Sequence, residues 1–142
     1  MNETNHYLWR GDELIKTVLI ADDSLFMRNY LKSLIVRENY KVISEASNGE
    51  EAIIKYKKFI PDIVFLDITM PKVNGIHALK EIKKFDPNAT VIMCSSLGQK
   101  SIIIDALQNG ATEFIVKPYF NNLQLILKNT ESHNTSSRLI VR

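Results

Sequence analysis

Four short apolar segments punctuate the chain: Val18-Leu-Ile-Ala21, Ile63-Val-Phe-Leu66, Val91-Ile-Met-Cys94 and Phe114-Ile-Val116. Near-continuous apolar runs of this length predict strands buried on both faces, as in a parallel sheet covered by helices. Lys41–Ala46 alternates instead, with Val42, Ser44 and Ala46 set against Ile43 and Glu45, and so predicts an edge strand. Between the strands lie stretches of helical period. Met27, Tyr30, Leu31, Leu34 and Ile35 form one apolar stripe, capped by Asp23 or Ser24. A second helix opens at Asn48-Gly49-Glu50-Glu51, a capping box, buries Ala52, Tyr56, Phe59 and Ile60, and stops at Pro61. A third spans about Gly75 to Phe85 with Ala78, Leu79, Ile82 and Phe85 inward, ending before Asp86-Pro87-Asn88. A fourth, about Lys100 to Asn109, turns Ile103, Ala106 and Leu107 inward and closes on Asn109-Gly110. A fifth, about Asn121 to Asn129, buries Leu123, Ile126 and Leu127.

Five β-α units in succession select an α/β fold, a doubly wound (βα)5 three-layer sandwich with helices on both faces of a parallel five-stranded sheet. The 142 residues suffice for one domain, expected over 17–129, with 1–16 and 130–142 as loosely ordered extensions. Composition adds exclusions. Apolar residues make up 45% and charged ones 24%, which rules out a disordered or low-complexity chain. No apolar run approaches the ~20 residues of a membrane span, and the first residues do not read as a signal peptide, so a cytoplasmic protein with no membrane contact is expected. A net charge of +2, spread along the chain, gives no footprint for nucleic acid. Cys94 stands alone, and His6, His77 and His133 are far apart, which argues against disulfide and zinc. Arg10-Gly-Asp12 matches an adhesion tripeptide and is taken as chance.

In an open parallel sheet, ligands gather at the carboxyl ends of the strands. Here the first apolar strand ends in Asp22-Asp23, the third strand in Asp67, the fourth in Ser95-Ser96, and the fifth in Lys117-Pro118. Each has an ordinary explanation alone: a helix cap for the aspartates, a turn residue for Ser95. Together they crowd three carboxylates, a hydroxyl and an ammonium at one edge. Carboxylates so placed repel one another unless a cation sits among them, and an oxygen-only set favours Mg²⁺. One carboxylate nucleophile with Mg²⁺, a lysine and a hydroxyl suits phosphoryl transfer to Asp.

With these residues in place, the chain resembles the response-regulator receiver domains of two-component signalling. The resemblance spans roughly Lys16 to Lys128 and rests on Val18-Leu-Ile-Ala-Asp-Asp-Ser24, Pro61-Asp-Ile-Val-Phe-Leu-Asp-Ile-Thr-Met-Pro71 with Asn74-Gly75, and Phe114-Ile-Val-Lys-Pro118. It implies a flavodoxin-like sheet of order 2-1-3-4-5. It also implies that Asp67 is the phospho-acceptor, that Asp22, Asp23, Asp67 and the Thr69 carbonyl hold Mg²⁺, that Ser95 and Lys117 contact the phosphoryl group, and that Ser95 and Phe114 are the switch pair. In the family the Lys-Pro bond is cis. Ser95 stands where threonine is commoner, Phe114 lacks a phenol, and Phe120 replaces a frequent capping residue.

Within the family, Asp67–Ile76, Asp86–Ala89 and Met93–Gln99 look like the single-domain chemotaxis regulators. That implies a signalling protein rather than an enzyme in the ordinary sense, acting as a monomer. Its implied partners are a chemotaxis-type sensor histidine kinase, the flagellar motor switch protein and a phosphatase. Ile102, Ile104, Tyr119, Phe120 and Leu125 are the expected partner surface, with scattered exposure or a shifted helix register as the alternative. Two other functions stay open: a phosphorelay carrier, and a Mg²⁺-dependent phosphohydrolase. The latter generally has a second Asp where Thr69 stands.

Overall fold

A computed structural model describes residues 8–36 and 39–130. Its first feature is a hairpin inside the expected N-terminal extension. Strand β1 (Leu8–Arg10) pairs antiparallel with β2 (Glu13–Ala21), Trp9 opposite Leu14 and Leu8 opposite Ile15. Gly11, at φ 62°, and Asp12 make the two-residue turn that such a hairpin requires, so the Arg10-Gly-Asp12 tripeptide is a turn. The expectation of a loosely ordered segment over 1–16 is thus corrected for residues 8–16; residues 1–7, like 131–142 of the expected tail, lie outside the described residues.

Beyond the hairpin the units follow in order. Helix α1 (Leu25–Ile35) leads to β3 (Tyr40–Ala46), α2 (Gly49–Phe59) to β4 (Ile63–Asp67), α3 (Gly75–Phe85) to β5 (Val91–Ser95), and α4 (Lys100–Gln108) to β6 (Glu113–Val116). A fifth helix, α5, covers residues 123–130. The parallel strands are ordered β3-β2-β4-β5-β6, which is 2-1-3-4-5 when the five parallel strands are counted alone. As expected, β3 is an edge strand.

Alternation along each strand builds two cores. Val18, Ile20, Phe65, Ile92 and Ile115 meet Leu31 and Ile35 of α1 and Leu123 and Leu127 of α5. Leu19, Val64, Leu66, Val91 and Met93 meet Ala52 and Tyr56 of α2, Leu79 and Ile82 of α3, and Ala106 of α4. This is the doubly wound, three-layer arrangement.

Capping follows the sequence closely. Ser24 Oγ accepts from Met27 N, Asn48 Oδ1 from Glu51 N, and Asn74 Oδ1 from His77 N. Glu51 completes its box one residue early, accepting from Ser47 N at 2.8 Å. Several expected core positions are exposed instead. Ile60 adopts the left-handed region (φ 44°) because the residue before Pro61 is barred from continuing the helix; the chain turns there and leaves Phe59 and Ile60 outside. Phe85 is also outside, its ring set edge-on to Tyr56. Tyr30 stacks on Phe26 rather than entering the core. In α4, Ala106 is buried, Ile103 is half-buried and Leu107 exposed, because the helix packs on β6, an edge strand that offers sheet on one side only.

Candidate functional site

The switch point lies between β2 and β4, where the crossovers diverge to opposite edges. The strands deliver the expected groups there: Asp22 and Asp23 follow β2, Asp67 and Ser95 end β4 and β5, and Lys117 follows β6. Carboxylate oxygens of Asp22, Asp23 and Asp67 all lie within 4.8 Å of one another. Asp22 and Asp67 are buried and Asp23 is exposed, so the cluster opens to solvent on one side. Lys117 Nζ sits 2.5 Å from Asp22 Oδ2 and 3.2 Å from Asp67 Oδ1.

Each group is anchored by backbone. Asp22 Oδ1 accepts from Ser24 N at 2.9 Å, while its own N–H donates to Ala46 O. Arg28 Nη1 donates to the Asp22 carbonyl at 2.6 Å and pairs through Nε with Glu45, which also holds Lys32. Sequence reading passed over this brace, although Arg28 stands four residues after the cap on the polar side of α1. Lys117 N donates to Ser95 O, which ties β6 to β5 at the site, and the Lys117-Pro118 bond is cis. Ser95 is buried, and its hydroxyl accepts from Leu97 N at 3.0 Å.

Burial pushes the Asp67 carboxyl up to about 6; Lys117 opposes the shift, and the negative charges of Asp22 and Asp23 add to it. Burial alone would lower Lys117, yet the hydrogen bond to Asp22 and the charge of Asp67 outweigh it and hold its ammonium above the ordinary range. The site therefore carries three acids against one base, with no nitrogen or sulfur ligand in the cluster. An all-oxygen set with one solvent-facing member fits a hard cation that retains waters, which is the chemistry of Mg²⁺.

The remaining expected residues fall in three places. Thr69 is exposed in the loop after β4. Phe114 is half-buried against the α2–α4 core. Of the partner surface, Ile104, Tyr119 and Leu125 are exposed and Ile102 is half-buried, but Phe120 is only 8% exposed. Its ring joins the α1–α5 core edge-on to Tyr30 and lines a small cavity with Met27, Asp22, Asp67 and Lys117, so it belongs beneath the acidic cluster and not on the surface. The cause is local: Leu123 N and Phe120 O form the first turn into α5, which swings the ring inward.

Comparison with known proteins accords with this geometry. Residues 18–128 match the response regulator receiver domain family. The chemotaxis protein CheY of Thermotoga maritima is 56% identical over 104 residues, covering 73% of this chain and 87% of that protein. The chemotaxis protein CheY of Bacillus subtilis is 53% identical over 102 residues, covering 72% and 85%. Among solved structures, a chain of the CheX–CheY–BeF3–Mg²⁺ complex from Borrelia burgdorferi superposes with a TM-score of 0.79 at 44% identity, covering 84% of this chain and 92% of that one.

Proposed function

Because the chain belongs to the response-regulator receiver family, we propose that it is a phosphorylation-switched regulator of chemotaxis in which Asp67 accepts a phosphoryl group from a sensor histidine kinase. The observation that carries this reading is the convergence of Asp22, Asp23 and Lys117 on the Asp67 carboxylate. In the transfer, an Asp67 oxygen forms a bond to phosphorus as the bond to the kinase imidazole nitrogen breaks, and that nitrogen keeps the electron pair. Asp22, Asp23, Asp67 and the Thr69 carbonyl would hold Mg²⁺, which when bound offsets charge on the phosphoryl oxygens. Lys117 already lies 3.2 Å from Asp67 Oδ1 and can turn from carboxylate to phosphoryl oxygen. Ser95, whose oxygen now accepts from Leu97 N, would turn its hydroxyl to donate to a phosphoryl oxygen, with Phe114 packing inward behind it. Neutralising the transferred charge with the Lys117 ammonium and the Ser95 hydroxyl, beside the metal that the aspartates would hold, would be the main catalytic effect.

The output in this reading is docking of a monomeric protein on the flagellar motor switch, through Ile104, Tyr119 and Leu125 with the half-buried Ile102 at the margin. A phosphatase is the expected means of resetting it. The test is labelling by acetyl phosphate, and binding to the amino-terminal segment of the motor switch protein with and without beryllofluoride. Labelling should vanish in Asp67→Asn, and binding should tighten only in the activated form. Undiminished labelling of Asp67→Asn would refute the acceptor, and equal binding in both states would refute the chemotaxis output.

A further inference from the structure

The loop between β4 and α3 is a closed lasso. Gly75 N donates to Ile68 O at 2.7 Å, and a β-carbon on Gly75 would fall 2.0 Å from Asp67 O, so the base of the loop is clamped to the acceptor residue itself. Inside the lasso lie Thr69, whose carbonyl is the expected fourth metal ligand, and Val73. The far side of the loop has a second support in another element. A β-carbon on Gly49, the first residue of α2, would stand 2.0 Å from the Val73 carbonyl oxygen, 2.6 Å from its carbon and 2.9 Å from Val73 Cβ. Two of these three atoms are backbone, so no side-chain rotation could relieve the overlap.

Gly49 has no conformational reason to be glycine. Its φ lies outside the left-handed region, and Asn48 already caps the helix. Any residue with a higher helix propensity would serve α2 as well or better. What the position requires is space for Val73.

We propose that Gly49 is a positioning residue for the metal side of the site: the bare start of α2 seats Val73 and thereby holds the loop that carries Thr69 in register with Asp67. The inference rests on reading the site as a Mg²⁺-dependent phospho-acceptor. With the base fixed at Ile68 and Gly75, a push at Val73 has to be absorbed between Thr69 and Asn74. Restoring ordinary van der Waals contact at Gly49→Ala means moving the Val73 carbonyl oxygen from 2.0 Å to at least 3.4 Å, a shift of about 1.4 Å, large enough to matter for a ligand of Mg²⁺, which demands near-octahedral geometry.

The experiment is a Mg²⁺ titration of the full chain without any phosphodonor, followed by amide NMR shifts of residues 67–74, in wild type, Gly49→Ala, Val73→Ala and Ala52→Gly. Ala52 is buried one turn further along α2, and its glycine variant weakens the helix without adding an atom at the seat. Gly49→Ala is expected to bind Mg²⁺ about tenfold more weakly. Val73→Ala, which keeps the backbone unobstructed but loosens the loop from the core, should bind a few-fold more weakly, and Ala52→Gly as wild type. If Gly49→Ala does not fold, Val73→Ala against Ala52→Gly decides. Wild-type affinity in both Gly49→Ala and Val73→Ala would overturn the inference while leaving the phospho-acceptor reading intact. A wild-type protein that binds no Mg²⁺ would overturn that reading, and the inference with it.

Discussion

Replacing Lys117 by Met isolates the electrostatics of the site. The substitution keeps much of the apolar stem but removes the ammonium that lies 2.5 Å from Asp22 and 3.2 Å from Asp67, both carboxylates being 6% exposed. Breaking a buried ion pair from one side typically costs about 3–5 kcal/mol, because the abandoned charge stays in a poorly solvated place. Here Asp23 is exposed and water reaches one side of the cluster, so the lower end, about 3 kcal/mol, is expected. Urea unfolding in EDTA near neutral pH measures it. Excess Mg²⁺ should recover much of the loss, since a cation bound to the folded state restores the missing charge. A second variant sharpens the argument. Burial already pushes Asp67 up to about 6, so its ionised form is held in the fold at a cost; adding Asp67→Asn to Lys117→Met should therefore recover stability in EDTA and weaken the response to Mg²⁺. A Lys117→Met protein within about 0.5 kcal/mol of wild type in EDTA, or a double variant no more stable than the single, would refute the reasoning.

Three further outcomes are expected away from the cluster. Ile60→Asn should raise thermal stability by about 1 kcal/mol, because a β-branched residue held at φ 44° is replaced by one that tolerates the left-handed region; an unchanged melting temperature would contradict this. Tyr56→Phe removes a 2.7 Å hydrogen bond to Asp86 Oδ2 from a ring that is 1% exposed, and should lower the unfolding free energy by about 1–2 kcal/mol, read as a lower urea midpoint with an unchanged slope. The hydrogen bond from Lys32, with Arg28, holds the Glu45 carboxyl below its ordinary 4.5 against the opposing effect of burial. Its contribution is therefore complete above about pH 4.5 and lost as pH falls through the lower folded value, so Glu45→Gln should flatten the acid limb of a stability-against-pH curve.

What could be read from sequence divides along a physical line. Buried parallel strands announce themselves, because both faces are apolar: Val18–Ala21 and Ile63–Leu66 needed no further context. So did the site, since a polar residue directly after each such strand has one edge at which to emerge. The β1–β2 hairpin was missed because Leu8-Trp9-Arg10 is three exposed residues with no burial period, made regular only by pairing with Glu13–Ile15. Phe120 was misplaced for a different reason. Whether an aromatic beside Tyr119 faces solvent or Tyr30 depends on the turn into α5, which apolar spacing does not encode. Leu107 fits an inward stripe, but the stripe presumes sheet beneath it, and α4 lies against the edge strand β6. The support that Gly49 gives the loop is invisible in the sequence, where the residue reads as part of a capping box.

The same edge position bears on how the proposed signal could leave the site. Helix α3 buries Ala78, Leu79 and Ile82 and is capped by Asn74, whereas α4 buries Ala106 alone, has no side-chain cap at Gln99, and carries neither an acid in its first turn nor a base in its last. Few buried contacts and no electrostatic support at either end place α4 among the less stable elements of the fold. It is also reached directly from the chemistry: Ser95 ends β5, its hydroxyl shapes the following turn through Leu97 N, and Lys100 begins the helix. If, as proposed, that hydroxyl turns toward a phosphoryl oxygen, its oxygen leaves Leu97 N, and the turn loses a hydrogen bond at the entry to a helix that has little else to hold it. A differential interaction of a few kcal/mol at Asp67 is then enough to bias the position of α4, since the free energy available at the site need only exceed the modest packing of Ala106 and its half-buried neighbours Ile102 and Ile103.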